Sequence, residues 1–212
     1  MNYHILPVTA FQQNCTLFWC ERTRRAAIID PGGDPAQILA LIAELKLQPE
    51  HLLLTHGHLD HVGASVALAT ALALPITGPH RDDAFLLDTL LTQSQMFGFP
   101  PTAAFTPARW LAHGDTLTFG DAQLDVLHCP GHTPGHVVFV NPRARLAQVG
   151  DVLFRGAIGR TDLPRGNHAQ LLDSIRQQLL PLGDDLRFIP GHGAMSTIGH
   201  ERRTNPFLAS KF

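Results

Sequence analysis

Apolar positions along the chain fall into short β-like runs and longer helical runs, separated by turn signals. Residues 15–20 (CTLFWC) and 26–30 (AAIID) read as strands, the second closed by the turn Pro31-Gly32-Gly33. Asp34 then stands as an N-cap before Pro35 at the first helical position. Ile38, Leu41, Ile42 and Leu45 follow at helical spacing, which predicts a helix packed on a sheet. Residues 52–54 form a short apolar strand ending at Thr55, and residues 62–74, rich in Ala and Leu, predict a helix that stops near Pro75. Another helix is expected over 81–97, and Pro100, Pro101 and Pro107 mark a loop. The second half repeats the rhythm without repeating the sequence. Strands are expected over 122–128, 136–140 and 145–149, then a glycine-rich loop over 150–166, a helix around 168–180 and a short strand over 186–189. Two strand-rich halves, each flanked by helices, predict a two-sheet sandwich of α/β type with helices over both outer faces.

Composition narrows the function classes. With 212 residues, 44% of them hydrophobic, the chain has material for a large core, which excludes intrinsic disorder. No low-complexity linker interrupts it, and a single domain over residues 1–212 is expected. A formal net charge of -2 argues against nucleic acid as a partner, since such binding neutralises several phosphates. There is no run of about 20 apolar residues, so no membrane span is expected. Pro7, Gln12 and Gln13 break the apolar stretch of an N-terminus without a basic segment, which therefore does not read as a signal peptide. Cys15, Cys20 and Cys129 make no disulfide framework and point to a reducing, cytoplasmic compartment. The unusual count is 13 histidines beside 16 lysines and arginines together, and it needs a chemical reason.

That reason starts with Thr55-His56-Gly57-His58-Leu59-Asp60-His61, where an apolar strand gives way to a helix. In extended backbone His56, His58 and Asp60 would share one side, because strand side chains alternate. His61, at the turn into the helix, would aim differently and join a second centre. Gly57 would let the backbone bend close to a metal. Imidazole and carboxylate suit zinc, iron or manganese. A capping Asp60 or a surface histidine explains any one of these residues, but not three His and one Asp within six positions. Three later positions offer the same ligand types at strand ends, where loops gather: His132 in PGHTPGH, Asp151 after RLAQV, and His192 in IPGHG. His136 reads as a buried hydrogen-bonding residue and Cys129 as a small buried hydrophobe. His4, His51, His80, His113, His128, His168 and His200 show no partner pattern and read as structural.

The succession THGHLDH, GHTPGH, GD and PGHG resembles the metallo-β-lactamase superfamily over nearly the whole chain. Within it, the sequence is similar to the glyoxalase II (hydroxyacylglutathione hydrolase) type, in its short bacterial single-domain form. The resemblance implies an αββα sandwich, two mixed sheets covered by helices, without the C-terminal helical region of the long enzymes. It implies two divalent metal ions, zinc first, with iron or manganese also suited. His56, His58 and His132 would hold one, Asp60, His61 and His192 the other, and Asp151 would bridge both. Asp60 and Asp151 would then be catalytic through a metal-bridged hydroxide.

The implied reaction is hydrolysis of a small-molecule glutathione thioester such as S-lactoylglutathione to a hydroxy acid and glutathione, a step of methylglyoxal detoxification. Neither nucleic acid nor membrane is implied as a partner, and the expected state is a monomer or weak homo-oligomer. By the same resemblance Asp30 is the best-placed carboxylate to orient a ligating histidine, with a plain turn residue as its alternative. Arg160 matches a loop that contacts glutathione, its alternative being an ion pair with Asp162. Arg202 or Arg203, in the tail ERRTNPF, would receive a substrate carboxylate, or else form a solvated basic helix end. The tyrosines that contact glutathione in the long enzymes are absent, Tyr3 being the only tyrosine, which implies a more open site and broader thioester selectivity. The segment GRTD also resembles persulfide dioxygenases, which use glutathione persulfide and a single iron, so that activity is the alternative.

Overall fold

The computed structural model describes residues 1–208. Period-two alternation of apolar side chains sorts the interior into three layers. In β2 (Gln13–Trp19), β3 (Arg25–Ile29) and β4 (Gln48–Leu53), one face carries Phe18, Ala27, Ile29 and Leu53, and the other Leu17, Trp19, Ala26, Ile28 and Leu52. In β8 (Val137–Asn141) and β9 (Leu146–Gly150), Val137, Phe139 and Leu146 share one face, and Val138, Val140, Ala147 and Val149 the other. The first-named set from each sheet meets in one central cluster, while each second set packs in a cluster of its own against helices. Full burial of each such Leu, Ile or Phe contributes roughly 1.5–3 kcal/mol, so both sheets are committed to this sandwich.

The first sheet runs β1 (Asn2–Val8), β2, β3, β4 and β5 (Ile76–Thr77). Its pairs are antiparallel from β1 to β3 and parallel from β3 to β5. The second runs β13 (Ser196–Thr197), β12 (Arg187–Pro190), β9, β8, β7 (Ala122–His128) and β6 (Thr116–Phe119), with β12 and β9 its parallel pair. Both sheets are therefore mixed. Over the first lie α1 (Pro35–Glu44), α2 (Leu59–Val62), α3 (Ser65–Leu72), α4 (Ala84–Asp88) and α5 (Leu90–Phe97). Over the second lie α6 (His168–Ser174) and α7 (Ile198–Thr204). The architecture is the expected αββα sandwich.

Local departures from the sequence reading have identifiable causes. The unexpected β1 contains Pro7, which a sheet tolerates because β1 is an edge strand and needs no donor there. The helix expected over 62–74 is α3 alone, from Ser65 to Leu72, and the short α2 precedes it: the Ala64 N–H donates to the Pro31 carbonyl at 2.9 Å and turns the chain between them. The segment 81–97 divides into a 3₁₀ turn (Arg81–Asp83), α4 and α5, interrupted at Thr89. Asp34 does not cap α1 with its side chain; its carboxylate accepts the Thr9 N–H at 2.8 Å instead. The helix over 168–180 is α-helical only to Ser174 and continues as a π-helical turn, Ile175–Leu179. The glycine-rich loop holds a small hairpin, β10 (Leu153–Phe154) and β11 (Ala157–Ile158). Among the described residues no helix is long and apolar enough to cross a membrane.

Candidate metal centre

Four chain segments leave their strands at one end of the sandwich and converge. His56 and His58 follow β4, His132 lies between β7 and β8, Asp151 follows β9, and His192 follows β12. Asp60 and His61 belong to α2, so the backbone is already helical at Asp60. This corrects the alternation expected from extended backbone: Asp60 does not share a side with His56 and His58. The structure groups His56, His58 and His132 in one triad and Asp60, His61 and His192 in a second. Asp151 lies between them, with Oδ1 3.4 Å from His61 Nε2 and Oδ2 3.6 Å from His132 Nε2 and 3.8 Å from His192 Nε2.

Each triad is tight. His58 Nδ1 stands 3.1 Å from His56 Nε2 and 3.0 Å from His132 Nε2. His192 Nε2 is 3.1 Å and His61 Nε2 3.7 Å from Asp60 Oδ2. The opposite ring nitrogens are already engaged. His56 Nδ1 donates to Thr55 Oγ1 at 3.0 Å, His61 Nδ1 to Asp30 Oδ2 at 2.9 Å, His132 Nδ1 to the Arg160 carbonyl at 2.7 Å, and His192 Nδ1 to the Phe11 carbonyl at 3.1 Å. Those bonds fix the ring orientations and aim four Nε2 atoms inward. Asp30, fully buried, also accepts the Thr55 N–H at 2.7 Å and the Thr55 hydroxyl at 2.6 Å, so it supports His61 directly and His56 through Thr55.

Electrostatics separates the triads. Burial first, then the neighbouring imidazoles, pushes His56 and His58 well below the ordinary histidine pKa, and burial lowers His132 against the pull of Asp151. These rings are neutral at pH 7, the form that binds a cation. Burial works against charge on His61 too, but Asp151, Asp60 and Asp30 outweigh it and raise its pKa to about 10. Burial raises and His61 and His192 lower the pKa of Asp60, with a net downward shift. The second triad is thus the more anionic environment.

The residues present fit divalent cations. Among the described residues, buried His61 Nε2 and Asp151 Oδ1 have no hydrogen-bond partner, and both face the space between the triads. A Cβ on Gly191 would collide with Asp151 Oδ1 and His61 Cε1, so glycine there keeps that space open. Away from the triads, the cluster of His80, Asp82 and His128 does not fit: the His80 and His128 rings stack at 4.2 Å and 23°, and in-plane lone pairs of stacked rings do not meet on one ion. His136 is no ligand either. Its Nε2 accepts the Asp151 N–H at 3.0 Å, and its ring stacks on His56 at 4.6 Å. Cys129 is buried, and burial pushes its thiol pKa up.

Sequence reasoning missed Asp83. Its buried carboxylate accepts the Gly57 N–H at 3.0 Å, the Thr133 hydroxyl at 2.8 Å and the Gly135 N–H at 2.6 Å, tying the His56–His58 loop to the His132 loop. Gly57 therefore serves an approach other than the expected one: a Cβ there would press on Leu86 and Asp83. Nothing around Asp83 in the sequence marks it, because its partners lie 26, 50 and 52 residues away. Burial outweighs those three donors and raises its pKa from 3.8 to about 6. The folded carboxyl keeps a proton that the unfolded one has lost, so this group's contribution to stability is lost as pH rises through that window. Asp83→Asn, which does not titrate, is expected to gain stability relative to the wild type between about pH 4 and 7. A difference in melting temperature that stays flat over that range would refute the assignment.

The triads floor a cavity of about 680 Å³ whose lining includes Phe11, Phe97, Phe99 and Phe154, with Arg155 and Arg160 at the rim. Phe11 meets Phe99 edge-to-face at 5.0 Å. Arg160 grips Asp162 through two 2.7 Å hydrogen bonds, and Arg155 makes no ion pair among the described residues. The structure does not bring Arg202 or Arg203 to this cavity. Arg202 donates to Asp184 at 2.9 Å and to the Leu180 carbonyl at 2.7 Å, and Arg203 lies 3.8 Å from Asp184. Neither Arg155 nor the aromatic wall was legible beforehand, since those side chains come together only in the fold.

Comparison with known proteins agrees with this geometry. Residues 8–192 match the family described as the metallo-beta-lactamase superfamily. A curated relative from Haemophilus influenzae, hydroxyacylglutathione hydrolase GloC, is 51% identical over 212 residues, covering 100% of both chains. The crystal structure of TTHA1623 in a di-iron-bound form superposes with a TM-score of 0.88 at 39% identity, covering 97% of this chain and 100% of that one. That of ETHE1 from Myxococcus xanthus gives a TM-score of 0.81 at 29% identity, covering 100% of this chain and 86% of that one.

Proposed function

This chain belongs to the metallo-beta-lactamase superfamily and is a metal-dependent hydrolase of it, and on that premise we propose that it cleaves glutathione thioesters such as S-lactoylglutathione to a hydroxy acid and glutathione. The observation that carries the reading is Asp151 standing between two converging triads on the floor of a cavity with a cationic rim. His56, His58 and His132 would hold one divalent ion, Asp60, His61 and His192 the other, with Asp151 shared. Bound there, such a pair lowers the pKa of water from 15.7 toward about 7 and draws charge from a carbonyl oxygen. Zinc, iron and manganese all suit the nitrogen and carboxylate donors.

The chain's own part is positioning. The Phe11, Phe97, Phe99 and Phe154 rings give the cavity an apolar wall that takes the apolar portion of the substrate. Arg155, which forms no ion pair among the described residues, takes a glutathione carboxylate, and Arg160, shared with Asp162, is the weaker candidate. A thiolate leaves without a strong acid beside it, and guanidinium groups at the rim suit the carboxylates of glutathione. Arg155→Ala is expected to raise KM for S-lactoylglutathione by roughly 10-fold or more, the worth of a charge-assisted hydrogen bond, with kcat little changed and Arg160→Ala milder. Equal KM values in Arg155→Ala and wild type would remove that role.

The likeness to ETHE1 keeps one second reading in view, a glutathione persulfide dioxygenase using a single iron, while the likeness to a di-iron structure shows that iron alone does not decide it. A second complete triad favours hydrolysis, because a mononuclear centre leaves Asp60, His61 and His192 without a task. The deciding experiment is metal analysis of purified protein, with S-lactoylglutathione hydrolysis measured beside oxygen consumption on glutathione persulfide. Hydrolysis without oxygen uptake is expected; oxygen uptake by protein with one iron per chain would reverse the assignment.

A further inference from the structure

The tail motif ERRTNPF keeps its charged residues away from the cavity, yet two of its members reach the cavity wall from behind. Glu201, on α7, is fully buried, and its carboxylate accepts the Gly156 N–H at 2.8 Å, the Asn205 Nδ2 at 2.9 Å and the Ser196 hydroxyl. Asn205, also fully buried, donates from Nδ2 to the Ala157 carbonyl at 3.1 Å as well. Gly156 and Ala157 form the turn end of the β10–β11 hairpin, whose Phe154, Arg155 and Ile158 line the cavity.

This hairpin has just two residue pairs, Leu153 with Ile158 and Phe154 with Ala157, and it joins neither large sheet. So short a ladder does not hold its own place in water. Its base is anchored at the metal-ligand loops, where Gly159 packs against the Asp151 carbonyl and the Arg160 carbonyl accepts from His132. Its tip is held by Glu201 and Asn205. We propose that Glu201 and Asn205 are positioning residues that fix the substrate-facing hairpin, so that the tail sets the placement of Phe154 and Arg155 without touching substrate.

The partners differ in a way that permits a sharp test. Gly156 and Asn205 share carboxylate oxygen Oε2, whereas Ser196 uses Oε1 on the far side. Glu201→Gln can present its oxygen to Gly156 and its amide to Ser196, and is the expected rescue; Glu201→Ala and Asn205→Ala release the tip; Ser196→Ala leaves it held. Steady-state kinetics on metal-loaded protein and hydrogen–deuterium exchange over 153–160 are the two measurements. Glu201→Ala and Asn205→Ala are expected to raise KM about 10-fold or more, chiefly over kcat, and to speed exchange over 153–160 while 55–61 stays protected. Glu201→Gln and Ser196→Ala should stay near wild type in both. Variants that melt earlier but keep wild-type KM and wild-type exchange over 153–160 would reduce the tail to fold support and overturn the proposal. Should Glu201→Ala not fold, Asn205→Ala tests the same tip contact by the same two readouts. The kinetic arm rests on the thioester reading and the exchange arm does not, so a wild type inactive on S-lactoylglutathione would strike that reading alone.

Discussion

Replacing Asp151 with alanine is expected to abolish thioester hydrolysis. Its carboxylate lies within 3.8 Å of imidazole nitrogens from both triads, so truncation removes the one group they share. Residues that merely orient a ligand typically cost roughly 10–100-fold in affinity or activity when removed, and the loss here should exceed that range. The backbone N–H of residue 151 still donates to His136, so the strand end keeps its place and the protein should fold. Metal analysis should find fewer ions per chain than in the wild type. A folded Asp151→Ala protein that retained wild-type turnover would leave the dinuclear reading without support.

Replacing Asp30 with alanine is expected to have the largest effect on stability. Three donors, the Thr55 N–H, the Thr55 hydroxyl and His61 Nδ1, would lose their acceptor in a region closed to water. Breaking a buried charged pair costs about 3–5 kcal/mol. Residue 30 also sits at φ 52°, a left-handed conformation that alanine tolerates less well than aspartate or asparagine. Metal affinity should fall roughly 10–100-fold, because His61, and His56 through Thr55, lose their orientation. Asp30→Asn fits the same backbone and keeps one acceptor, so an intermediate loss is expected. Chemical denaturation of metal-free protein separates the folding part from the metal part; wild-type values for both in Asp30→Ala would refute the relay.

The strands and the ligand types were readable in the sequence because both have short-range signatures. Near-continuous apolar runs over residues 15–20, 26–30 and 136–140 mark strands whose two faces are both buried, and THGHLDH packs four candidate ligand residues into six positions. The grouping of those ligands was not readable from alternation, since Asp60 already lies in a helix. Features set by distant partners stayed hidden. Asp83 joins two loops from a position with no local pattern, and the aromatic wall draws Phe11, Phe97 and Phe154 from remote segments. Tail arginines looked like anion grips from sequence; in the fold they face Asp184, while their buried neighbours Glu201 and Asn205 carry the structural contact.

His192 lies beyond both sheets' central strands in the chain, follows β12, and is steadied by the carbonyl of Phe11 near the opposite terminus. The all-histidine triad takes its last member from His132, whereas the mixed triad takes its last from His192, beyond the β12 strand that pairs with β9. The two triads therefore differ in how much of the chain must be in place before each is complete.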